Sequence, residues 1–85
     1  MFKYSDEAAK AIDILNQYDL TDRLAKCRED GYDSVEGAKS YLIVMLIDFI
    51  DIVRALHTLT EAEFMRYTSD KYGVKWCKII SYKMW

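Results

Sequence analysis

The sequence predicts an all-α protein: a small four- to five-helix bundle around a long central helix at about 34–58, with residues 1–85 forming one domain. The 85-residue chain has no proline and three glycines, which disfavours turn-dense β sandwiches, glycine-rich phosphate loops and flexible linkers. Hydrophobic residues make up 52% and charged residues 31%, a balance suited to a packed core rather than to disorder. Apolar residues also recur at helical spacing in one segment after another.

The first helix starts at Ser5, an N-cap residue, with Asp6 and Glu7 near its positive end. Ala8, Ile12 and Leu15 form its apolar face, flanked by Ala11 and Tyr18. Leu20, Leu24 and Cys27 repeat the spacing on a different face. The helix should therefore break near 19–21, with Asp19 or Thr21 capping a second helix and Gly31 ending it.

Asp33 and Glu36 read as a capping box for the central helix. Val35, Ala38, Leu42, Met45, Leu46, Phe49, Val53 and Leu56 then share one stripe, while Ile43, Val44 and Ile47 spill onto other faces. Such a helix is enclosed by protein, either by its own chain or by a second copy that covers Ile43, Val44 and Ile47. Asp48, Asp51 and Arg54 mark its polar edge. A fourth helix opens at the capping box Thr60–Glu63, stapled by Leu59 and Phe64, and closes at Gly73 after Lys71. Residues 74–85 fit either a helix or a strand, and the helix is preferred because a lone strand has no partner. The expected core is Ile12, Leu15, Leu24, Leu42, Met45, Leu46, Phe49, Val53, Leu56 and Phe64. Truncating Phe49 to Ala should then cost ~3–5 kcal/mol.

Chemistry is sparse. Cys27 and Cys77 lack metal-ligand spacing and read as core-type thiols in a reducing compartment, with one structural bridge between them as the alternative for an extracellular source. The single histidine, His57, could pair with Glu61, but the capping box assigns Glu61 to the next helix. Asp48 and Asp51 could meet a cation or a basic partner, yet Arg54 offers Asp51 an ordinary ion pair. No nucleophile elbow, phosphate loop or zinc set occurs, so no catalytic residue, metal or cofactor is expected, and the chain is read as a non-enzyme.

No apolar stretch follows Lys3, and the longest uninterrupted apolar run is the seven residues from Tyr41 to Ile47. A membrane span needs ~20. A cytoplasmic protein with no membrane partner is expected.

Charge is uneven. Residues 1–65 carry seven basic and thirteen acidic groups, whereas residues 66–85 carry five basic groups and only Asp70. The same C-terminal stretch holds both tryptophans. Trp and Tyr favour binding hot spots, so the candidate partner-binding residues are Lys71, Lys75, Trp76, Lys78, Tyr82, Lys83 and Trp85. The expected function is docking onto a larger protein or ribonucleoprotein complex as inhibitor or adaptor, for example a phage or mobile-element inhibitor such as an anti-CRISPR. Nucleic-acid binding through the same lysines and tryptophans is one alternative, although the acidic remainder would repel a polyanion. A homo-oligomeric structural protein, as a homodimer, is another.

Overall fold

A computed structural model describes residues 2–32 and 34–76. Among the described residues the regular structure is five helices: α1 (Asp6–Leu15), α2 (Thr21–Glu29), α3 (Val35–Met45), α4 (Ile50–Thr58) and α5 (Glu61–Tyr72). The all-α class and small-bundle architecture follow the sequence pattern. None of these helices is long and apolar enough to cross a membrane.

Local chemistry explains most boundaries. The Ser5 hydroxyl accepts the Ala8 N–H at 3.1 Å and opens α1. The cap position of α2 is Leu20, which has no side-chain acceptor to offer. Asp19 supplies one from a residue earlier: its Oδ1 accepts from the Thr21 N–H at 2.9 Å and the Thr21 hydroxyl at 2.6 Å. These two bonds hold the Asp19 carboxyl below its ordinary pKa, the hydroxyl contributing most. At the other end of α2, Gly31 has φ +91°. The Tyr32 N–H then reaches the Cys27 carbonyl at 2.8 Å and the Gly31 N–H reaches Arg28 at 3.1 Å. Those two bonds are a Schellman ending, which needs a left-handed residue at this position.

Helix α3 is capped by Ser34, whose hydroxyl accepts from the Gly37 N–H at 3.1 Å. The box assigned to Asp33 is therefore not the cap, and Asp33 itself lies outside the described residues. The single helix expected at about 34–58 is two helices. It ends at Met45, turns through Leu46 to Phe49, and resumes at Ile50. Two turn bonds replace the helical ladder: Ile47 N–H to Val44 at 3.4 Å and Phe49 N–H to Leu46 at 2.8 Å. No glycine or proline marks the break. Asp48 and the β-branched Ile43, Val44 and Ile47 are only mildly unfavourable to a helix. Burial supplies the rest. An uninterrupted helix of this length would run ~37 Å, more than the short neighbouring helices can cover. The turn redirects α4 so that Ile52 (1% exposed) takes the inward place expected for Phe49, which is 46% exposed.

Leu15, Leu24, Leu42, Leu46, Val53, Leu56 and Phe64 are buried as expected. Ile12 and Met45 are only partly buried against the core. Helix α1 packs chiefly against α4, α2 against α3, and α3 also against α5. Alanines at 8, 11, 38 and 55 are all buried and let the helices approach closely.

The start of α5 is the most fully satisfied end in the fold. Thr60 and Glu63 form the reciprocal capping box, and Leu59 and Phe64 are both buried beside it. Glu63 Oε1 accepts from the Thr60 N–H at 2.9 Å, and its Oε2 accepts from the Ser5 N–H at 3.2 Å, so one carboxylate joins the start of α1 to the start of α5. Gly73, φ +68°, ends α5, its N–H reaching Ser69 at 3.0 Å. Residues 74–76 are not helical, and the remainder of the tail expected to be a helix lies outside the described residues.

Candidate interaction surface

The aromatic residues at the C-terminal end of α5 are engaged within the fold. The Tyr67 hydroxyl donates to Asn16 at 3.0 Å, and the Lys71 ammonium donates to the same Asn16 oxygen at 2.8 Å. Lys71 also lies 5.4 Å from the Tyr72 ring centre. The Tyr72 hydroxyl accepts from the Leu20 N–H at 3.1 Å. Together these contacts seal the end of α1 against α5, and burial raises the Tyr67 phenol well above its ordinary pKa.

Of the sequence-derived binding residues, Lys71 and Lys75 are exposed, and Lys71 is tied to Asn16. Trp76 is in the core, 9% exposed, with its indole N–H on the Thr68 hydroxyl and its ring 5.9 Å from that of Phe64. That placement corrects the reading of Trp76 as a surface anchor: its ring fills the space over Phe64. Lys78, Tyr82, Lys83 and Trp85 lie outside the described residues.

A different surface is apolar. Val44 is 68% exposed, Ile47 60%, Ile50 57% and Phe49 46%, so the exposed apolar residues run from the last turn of α3 through the α3–α4 turn to the first residue of α4. Tyr18 joins them edge-on, its ring 6.3 Å from that of Phe49. Beside the pair is a cleft of about 90 Å³, floored by Leu20, Leu46 and Ile52 with Asp19 and Arg23 at its edge. Small-molecule sites run to ~300–1,000 Å³, so this cleft suits one side chain rather than a metabolite.

Phe49 occupies the N-cap position of α4 and offers it no hydrogen bond. Asp, Asn, Ser or Thr there would stabilise the helix. A large apolar side chain set in water where a polar one would strengthen the fold is the kind of local conflict found at functional surfaces. Sequence reasoning placed Val44 and Ile47 off the main stripe but missed Phe49, Ile50 and Tyr18, because their exposure depends on the turn.

The remaining candidates do not converge. His57 and Glu61 are both exposed and belong to different elements. Asp48, Asp51 and Arg54 are exposed, and none of them belongs to the ion pairs found among the described residues. Among those residues no three His, Cys, Asp or Glu side chains gather in a way that could hold a metal. No protein-family model, no curated protein and no solved structure matches the chain.

Proposed function

We propose that the protein is a non-enzymatic interaction module of the cytoplasm that docks onto a larger protein or ribonucleoprotein complex as inhibitor or adaptor. Its docking surface is the α3–α4 turn. The observation that carries this reading is the exposed apolar group Val44, Ile47, Phe49 and Ile50, with Phe49 at a helix cap where a polar residue would be more stabilising. An inhibitor of a host defence complex carried by a phage or mobile element, of the anti-CRISPR kind, is the concrete version that the small size supports.

The test compares the wild-type chain with Phe49→Asp and with the control Lys75→Glu. The phage plating efficiency of a host with active RNA-guided defence, and recovery of the effector complex on the tagged chain, are the readouts. Wild-type and Lys75→Glu chains should raise plating and retain the complex, and Phe49→Asp should do neither. Equal performance by Phe49→Asp removes the docking surface. A second reading, a homodimer, is favoured by the exposure of Val44 and Ile47. It requires a dimeric mass in light scattering that Val44→Asp reduces to a monomer.

A further inference from the structure

We infer that the occupant of the α3–α4 surface is an apolar face of a partner protein flanked by lysine or arginine side chains. This rests on the docking role proposed above and deepens it. From Ser40 to Val53 the only charged residues are Asp48 and Asp51, which alternate with the exposed Ile47, Phe49 and Ile50. Both carboxylates are exposed, and neither has a cationic partner among the described residues. Asp19 adds a third carboxylate at the cleft next to Phe49, where Arg23 is the one cation lining it among the described residues. The next cation along α4 is Arg54.

That arrangement discriminates among occupants. Nucleic-acid phosphates and anionic lipid head groups are repelled by the carboxylates that separate the apolar side chains. A second copy presents the same acidic patch, so a two-fold contact closed through this surface gathers four carboxylates in one interface with no lysine or arginine between residues 40 and 53 to offset them. An apolar face with basic flanks satisfies both features together: its apolar side chains cover Phe49 and its neighbours while its cations meet Asp48 and Asp51.

The probe is a pair of synthetic amphipathic helices, one of leucine and lysine and the other of leucine and glutamate, added to the isotopically labelled full chain. Amide shifts on titration with the lysine peptide should concentrate at residues 44–51, and added salt should weaken the binding. Asp48→Lys/Asp51→Lys should weaken it about tenfold or more. The glutamate peptide should bind the wild type poorly and this variant better. Equal binding of both peptides, shifts centred on Asp6, Glu7 and Asp13 instead, or a concentration-dependent dimer closed through residues 44–51 overturns the proposal. The defence-complex assay separates it from the broader reading. If Phe49→Asp abolishes capture while Asp48→Lys/Asp51→Lys retains it in full, the docking surface stands and the basic partner falls.

Discussion

The indole N–H of Trp76 donates to the Thr68 hydroxyl at 2.7 Å, and Thr68, 0% exposed, donates in turn to the Phe64 carbonyl at 2.9 Å. This short chain of hydrogen bonds pins the residues after Gly73 back onto α5. Thr68→Val keeps the shape but leaves the indole N–H buried without an acceptor. We expect a loss of ~1–3 kcal/mol in urea unfolding. Adding Trp76→Phe should make the double variant less destabilised than the two single effects combined, because the stranded donor is then gone.

Phe49, at the N-cap of α4, and Phe64, in the first turn of α5, should behave oppositely. Phe64 is 0% exposed, so Phe64→Ala should cost ~3–5 kcal/mol. Phe49 is 46% exposed, and its truncation should cost roughly 1 kcal/mol or less. Phe49→Asp installs a polar cap on α4, which contributes ~0.5–2 kcal/mol at such positions and offsets the lost contact with Tyr18. Its melting temperature should therefore stay near that of the wild type, and loss of binding by this variant would report on the surface rather than on unfolding.

Glu63 makes stability depend on acid. The Thr60 backbone N–H, followed by the groups of Ser5, holds its carboxyl below the ordinary value. A carboxyl with a depressed folded pKa stabilises the fold above its unfolded value, and that contribution is lost as pH falls through the folded one. The midpoint of urea unfolding should thus fall between neutral and acidic pH more steeply for wild type than for Glu63→Gln. Glu63→Ala should lose ~1 kcal/mol at neutral pH through the broken cap.

Cys27 is 0% exposed, and burial, the largest influence on it, pushes its thiol up to about 11. The thiolate is the reactive form. In a Cys77→Ser background, Cys27 should react with a disulfide reagent only at the rate of unfolding at neutral pH, and rapidly in denaturant. Immediate reaction of the folded chain would contradict its enclosure.

Tyr41 donates its hydroxyl to the Asp30 carboxylate, a bond that raises the phenol to about 12. A raised phenol stabilises the fold below its unfolded value, and that contribution disappears as pH rises through the folded one. The difference titration between wild type and Tyr41→Phe should place this ionisation near 12. In Asp30→Asn it should move down toward an ordinary tyrosine.

Several features were legible from the linear chain because they are local. Ser5, Thr60–Glu63, Gly31 and Gly73 act within a turn of their own positions, so their side chains and conformational freedom announce the helix ends wherever the chain packs. Periodicity likewise placed seven of the ten expected core residues, since a buried helix face repeats along the sequence.

The division of the central hydrophobic stretch was decided only in three dimensions. No residue between Ala38 and Thr60 forbids a continuous helix. The turn at Leu46–Phe49 forms because two short helices bury Leu42 and Ile52 together, where one long rod would leave an end uncovered. The same turn moved Phe49 to the surface, while the contact with Thr68 drew Trp76 inside. Burial depends on which distant elements meet, and so the exposed apolar surface became visible only once the helices were assembled.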